Sequence, residues 1–122
     1  DGAFFFDLHG GPDAQRVLTE KQRIGNFTYI WEQKNFDAVN NHTTCLIYFQ
    51  TEKGKRPKQA FRYDWRLWSY PELRDGLMDM GFRRVDLFWE GDDGKGHGNG
   101  VFRRVRRAEN EESWIGYAVG WK

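Results

Sequence analysis

Ser69-Tyr70-Pro71-Glu72-Leu73-Arg74-Asp75-Gly76-Leu77-Met78-Asp79-Met80-Gly81-Phe82 is the stretch from which the rest of the chain can be read. Ser69 is of the type that caps a helix by accepting from a backbone N–H in the first turn. Glu72 stands where its carboxylate can return a hydrogen bond to the Ser69 backbone. Pro71 falls in the first turn, where a missing N–H costs nothing. Leu73, Leu77 and Met80 follow at i, i+4 and i+7, one helical stripe. Gly81 can take φ > 0 and so end the helix. The pattern predicts a helix from Pro71 to Met80.

Upstream the period changes from helical to alternating. Phe61, Tyr63, Trp65 and Leu67 share one face of a strand, as do Cys45, Ile47 and Phe49 opposite Leu46 and Tyr48. Phe27, Tyr29 and Trp31 form a further such face opposite Thr28, Ile30 and Glu32. Ala38-Val39-Asn40-Asn41 and Glu52-Lys53-Gly54-Lys55 separate these runs as polar turns, which predicts an antiparallel meander. Aromatic pairs across its strands each contribute about 0.2–1 kcal/mol.

Nearer the N-terminus, Ala3-Phe4-Phe5-Phe6-Asp7-Leu8 is a continuous apolar run, the mark of a strand buried on both faces. Gly10-Gly11-Pro12 closes it, and a short helix is expected from Pro12, with Asp13 at its positive end. Ala14, Val17 and Leu18 would be its thin apolar face. Downstream of Gly81-Phe82, Val85, Leu87 and Trp89 begin another strand. Five glycines between Gly91 and Gly100 predict a mobile hairpin loop, with Asn99-Gly100 as its tight turn. Val101–Val105 carries Arg103 and Arg104, and Trp114–Val119 is apolar enough for a central strand.

The 122 residues are one domain's worth of chain, and 10 Phe, 6 Trp and 5 Tyr supply most of its core material. Nineteen basic and 18 acidic residues leave a net charge of +1, without the basic excess of a dedicated nucleic-acid binder. No apolar run is long enough to span a bilayer, and no signal-peptide layout is present, so no membrane partner and a cytoplasmic location are expected. The start at Asp1 rather than Met suggests a mature, tag-cleaved or truncated product. Cys45, the one cysteine, fits a reducing compartment and reads as a small core residue.

Asp92-Asp93-Gly94 departs from the calcium loop, and His9, His42 and His97 show no zinc-like spacing, so no metal is expected. Arg103, Arg104, Arg106 and Arg107, with Arg83 and Arg84, would suit phosphate contact beside aromatic rings. Glu109, Glu111 and Glu112 offset them, which favours a solvated strand face with local ion pairs. Asp7-Leu8-His9-Gly10-Gly11 ends a strand where a helix begins, the place at which α/β sheets bind ligands. It lacks the G-x-G-x-x-G fingerprint, so a plain tight turn remains the other reading. No serine–histidine–acid set has a consistent spacing.

The run from Phe61 to Phe82, a strand, a Ser-x-Pro-Glu-Leu helix and a closing Gly-Phe before the next strand, resembles the C-terminal half of class I S-adenosylmethionine-dependent methyltransferases. The resemblance implies an α/β fold: strands five to seven of a Rossmann-like sheet, an inserted antiparallel meander and one well-defined helix. Gly2–Leu8 would be the fifth strand, Arg83–Glu90 the sixth, and Trp114–Gly120 the seventh, antiparallel to the sixth. It implies one domain, divided as strand and short helix (1–25), inserted meander (26–68), and helix with terminal strand pair (69–122). The family's acidic-x-Gly-x-Gly turn and ribose-binding acid are absent. The resemblance therefore implies a fragment whose partner is the upstream cofactor-binding half, and no S-adenosylmethionine binding by this stretch alone.

Methyl transfer to an acceptor is the activity implied for the parent protein. Such a displacement needs chiefly alignment of its reactants, so no catalytic residue is assigned. The substrate-side candidates are Asp7, His9 and Gly10 at the end of the fifth strand, with Tyr29 and Trp31 from the meander. The free edge of Ala3–Leu8 is expected to make the isolated chain self-associate. The competing reading is an aromatic-rich β domain that binds a small ligand or RNA without chemistry. Alternation and the arginine run favour it, while the 61–90 resemblance and Phe4–Phe6 count against it.

Overall fold

The computed structural model describes residues 2–54 and 56–122. In chain order the elements are β1 (Ala3–Gly10), a 3-10 turn (Pro12–Gln15), β2 (Leu18–Ile24), β3 (Phe27–Asp37), β4 (His42–Thr51), β5 (Lys58–Arg66), α1 (Tyr70–Asp79), β6 (Arg84–Asp92), β7 (Gly98–Val105) and β8 (Trp114–Trp121). They divide into two compact units. One joins the residues up to Ala14 with Trp68–Lys122, and the other is Gln15–Leu67. Each holds a four-stranded sheet.

In the first unit the strand order is β1-β8-β6-β7, and every neighbouring pair is antiparallel. β8 is central, as its apolar composition predicts, and pairs antiparallel with β6 from Arg84↔Trp121 to Trp89↔Gly116. On its other side it pairs with β1 from Ala3↔Trp121 to Gly10↔Trp114. β1 and β6 run the same way, but β8 lies between them, so the expected parallel sheet is replaced by an antiparallel one. The expectation of a β1 buried on both faces also fails. Among the described residues its one neighbour is β8, and Phe4 and Phe5 are 50% and 63% exposed. A continuous apolar run marks apolar surface; whether that surface is covered depends on partners distant in the chain.

Opposite residues in an antiparallel pair point to the same side. Phe4, Phe6 and Leu8 thus share a face with Gly120, Ala118 and Gly116, and with Val85, Leu87 and Trp89. α1 packs on this face through β6 and β8. Glycine at 120 allows the approach: a Cβ there would stand 2.8 Å from the Phe82 ring and 3.4 Å from Leu77 Cδ1. The helix starts as expected. The Glu72 N–H donates to Ser69 Oγ at 3.3 Å and the Ser69 N–H to Glu72 Oε1 at 3.0 Å. Gly81 follows at φ 89°. Of the stripe, Leu77 is buried and Leu73 half-buried, but Met80 is 63% exposed because it is the C-cap, where the helix has ended.

Two local expectations near this sheet are corrected. The short helix from Pro12 is a single 3-10 turn; Val17 is exposed and Leu18 begins β2. Asn99-Gly100 is not the hairpin turn, since both residues lie within β7; the turn is Asp93–His97, closed by Asp93 N–H donating to His97 O at 2.9 Å.

The second unit is a meander in the order β2-β3-β4-β5, all antiparallel. It has one strand more than the alternation predicts. Leu18–Ile24 reads Leu-Thr-Glu-Lys-Gln-Arg-Ile, without an apolar face, and becomes a strand by pairing with β3. The Ala38–Asn41 turn forms as expected: Asp37 Oδ1 accepts from the Val39 and Asn40 N–H groups, and Asn41 takes φ 55°. The next turn is closed by Gly54 N–H donating to Thr51 O at 3.0 Å, and its predicted member Lys55 lies outside the described residues. Among the described residues no helix is long and apolar enough to cross a membrane.

Candidate functional site

Asp7, His9 and Gly10 lie together at the C-terminal end of β1. Asp7 and His9 point to the sheet face away from α1, opposite Tyr117 and Ile115. Asp7 is exposed and His9 half-buried. Loss of solvent around the imidazole lowers the His9 pKa below its ordinary 6.5, and the nearby Asp7 charge opposes this in part. The ring is therefore neutral at physiological pH and able to accept a proton.

This shift has a consequence for stability. A base whose pKa is lowered in the folded state binds its proton less readily there than in the unfolded chain. The contribution of His9 is fully present above 6.5 and is lost as the pH falls from 6.5 through the lowered folded value. Denaturant titrations across that window are expected to show falling stability, and His9→Gln a flatter profile. An unchanged profile in the variant would assign the acid sensitivity elsewhere.

The glycines at this strand end serve the chain's own packing. Gly10 is paired with Trp114, whose indole occupies the space a Cβ would need. Trp89 packs against the same indole with ring centroids 4.5 Å apart. Gly11 takes φ 98°, and its side is closed by the carbonyls of Glu111 and Glu112. Asp13 N–H donates to Glu112 O at 2.9 Å, tying the turn to the segment before β8. These residues do not fit a cofactor cradle, because the room left by the missing side chains is filled by protein.

On the same face as Asp7, the side chains of Phe5, Phe88, Phe102, Tyr117 and Val119 line an open apolar hollow of about 320 Å³. Beside it Asp86 is only 5% exposed. Its carboxylate accepts from Arg84 Nε at 2.9 Å, Arg104 Nε at 2.9 Å and Trp121 Nε1 at 2.8 Å. Arg104 thus has the local ion pair expected of the arginine run. Sequence reasoning missed Asp86; the available signal was an acid between the apolar residues Val85 and Leu87.

Tyr29 and Trp31 lie on β3 in the other unit and share a face with Phe49 of β4 and with Phe61, Tyr63 and Trp65 of β5. Tyr63 stacks on Trp65 at 4.5 Å, and Trp31 reaches Trp65 at 6.2 Å. Trp31 Nε1 donates to Gln33 Oε1 at 3.0 Å, while Gln33 Nε2 donates to Arg16 O at 2.8 Å. Gln33, buried at 7% exposure, fixes the indole and was not singled out from the sequence. Tyr29 has a raised pKa, first through loss of solvent and then through Tyr63 and Glu20, so its hydroxyl stays protonated. Cys45 is 1% exposed, the core residue expected, and burial pushes its thiol pKa up. Among the described residues no cluster of His, Cys, Asp and Glu is arranged to hold a metal.

No protein-family model matches the sequence, and no curated protein matches it. Among solved structures the chain is similar to an S-adenosylmethionine-dependent methyltransferase from Clostridium acetobutylicum ATCC 824, with 15% sequence identity and a TM-score of 0.57. The match covers 98% of this chain and 44% of that one, so the chain spans less than half the length of the enzyme it resembles. At that identity the likeness is one of fold: antiparallel sheets with one helix, arranged as in part of a methyltransferase.

Proposed function

We propose that the chain is the C-terminal part of a class I S-adenosylmethionine-dependent methyltransferase, supplying strands five to seven and substrate-side surface for methyl transfer to an acceptor. The observation that carries this reading is the order β1-β8-β6 with β8 antiparallel to both neighbours. It is the order five-seven-six that the family resemblance implies, with α1 between the fifth and sixth strands in sequence. In this reading Asp7 and His9 line the end of the fifth strand, and Tyr29 and Trp31 present rings to the substrate.

The encoding reading frame tests the proposal: upstream of Asp1 it is expected to encode a strand ending in Asp/Glu-x-Gly-x-Gly. Titration calorimetry is expected to detect S-adenosylmethionine binding by that longer product and none by the 122-residue chain. A frame without the motif, or micromolar binding by the chain alone, overturns it.

The free edge of β1 is the proposed seat of the upstream half. In the isolated chain this edge is expected to pair with a second copy, since an exposed apolar edge strand templates further pairing. Light scattering at micromolar concentration checks this, and a monomer that unfolds cooperatively would refute it.

A binding module without chemistry is the second reading. The aromatic face of β3–β5 favours it, because stacking surfaces serve recognition with or without catalysis.

A further inference from the structure

We infer that the aromatic face of the β2–β5 sheet binds an organic cation, an alkylated ammonium group, over the rings of Tyr29, Trp31, Tyr63 and Trp65 and beside the carboxylate of Glu20. Register places Glu20 opposite Trp31 and Gln22 opposite Tyr29, on the same side as the rings. Trp65 is 37% exposed, while Tyr29, Trp31 and Tyr63 are half-buried and keep part of their surface open to solvent. Cys45, on this face of β4, is buried at 1% exposure and closes the floor.

The polar groups present narrow the ligand's chemistry. The Trp31 indole N–H is already spent on Gln33, so that ring offers its π surface rather than a donor. The hydroxyls of Tyr29 and Tyr63 make no hydrogen bond among the described residues. Aromatic faces carry a negative quadrupole and attract cations, and quaternary ammonium groups are characteristic ligands of such clusters.

The distribution of charge points the same way. Alternation along β2 and β5 sends Lys21, Arg23, Arg62 and Arg66 to the opposite face of the sheet. Lys58 shares the aromatic face and stands opposite Phe49, in the cross-strand row of Tyr29 with β4 between them, toward the end of β5 away from Trp65. Glu20 stands directly opposite Trp31 on this face, and its influence on the Tyr29 hydroxyl agrees with that placement. A phosphate-bearing ligand would meet a carboxylate there. A purely apolar partner would bury Glu20 and two hydroxyls without compensation, which is costly.

The inference deepens the proposed function and rests on it only in treating the cation as a methyl acceptor or methylated product; the binding itself is tested without any methyl donor. The experiment follows tryptophan fluorescence of the whole 122-residue chain titrated with choline, and with its uncharged carbon isostere 3,3-dimethylbutan-1-ol, at constant ionic strength. Choline is expected to give a saturable change in the millimolar range, and the isostere to bind about 3- to 30-fold more weakly. Trp65→Ala and Glu20→Gln are each expected to weaken choline by a factor within that range. Glu20→Gln removes only a charge from an exposed strand and keeps the test valid if Trp65→Ala unfolds.

Equal affinity for the two ligands, or a linear response to choline without saturation, overturns the inference. So does a change that tracks a monomer–dimer equilibrium in light scattering, since the face would then be covered by a second copy. Choline binding together with a reading frame that lacks the acidic-x-Gly-x-Gly turn leaves this site standing and removes the methyltransferase reading. Absence of choline binding with the motif present does the reverse.

Discussion

Replacing Leu77 with alanine is expected to lower the unfolding free energy by about 2–5 kcal/mol. Leu77 is 2% exposed and packs where α1 meets β8, beside Gly120 and Phe82. Deleting three carbons there removes buried apolar surface and leaves a cavity. The helix and the central strand are both held by their own hydrogen bonds and cannot simply close over it. Met78, one residue on and 46% exposed, is the control. Met78→Ala is expected to stay within about 0.5 kcal/mol. Chemical denaturation of the two variants measures the difference. A neutral Leu77→Ala would mean that α1 presents another face to the sheet.

The second large effect concerns Asp86. Its carboxylate is enclosed in the β1-β8-β6-β7 sheet and satisfies Arg84, Arg104 and the Trp121 indole at once. Asp86→Ala leaves one indole N–H and two guanidinium groups without their acceptor, at an expected cost of about 1–3 kcal/mol. Truncating one side of a fully buried ion pair costs more than this. Here the arginine side chains are 58% and 56% exposed, so water recovers part of the loss. Arg84 also lies 5.1 Å over the Trp121 ring and keeps that contact in the variant. A double-mutant cycle with Arg104→Ala should show coupling of about 0.5–3 kcal/mol. Additive effects would show that Asp86 and Arg104 do not act as a pair.

Much of the molecule follows from signals that act over a few residues. The capping box at Ser69–Glu72 and the stop at Gly81 depend on bonds between residues three or four apart, so α1 was legible in the sequence. Alternation with period two determines which side chains of one strand share a face, so Tyr29 could be grouped with Trp31 and Tyr63 with Trp65, while the register through β4 puts both pairs on one side of the sheet. A run apolar on both sides identified β8 as a central strand, and a place within an alternating strand identified Cys45 as a core residue.

Tertiary structure alone decided the rest. Leu18–Ile24 carries no apolar pattern and is a strand because β3 offers it hydrogen bonds. Phe4 and Phe5 look like interior residues but lie on an edge strand and are exposed, since burial depends on what distant segments cover each face of the sheet. Gly10 and His9 could be singled out by type, but only the fold showed that an indole fills the space beside Gly10 and that burial lowers the His9 pKa. Asp86 accepts from a tryptophan 35 residues away. Backbone preference and side-chain period are local and can be read along the chain, whereas burial, pKa and strand order depend on which distant segments meet.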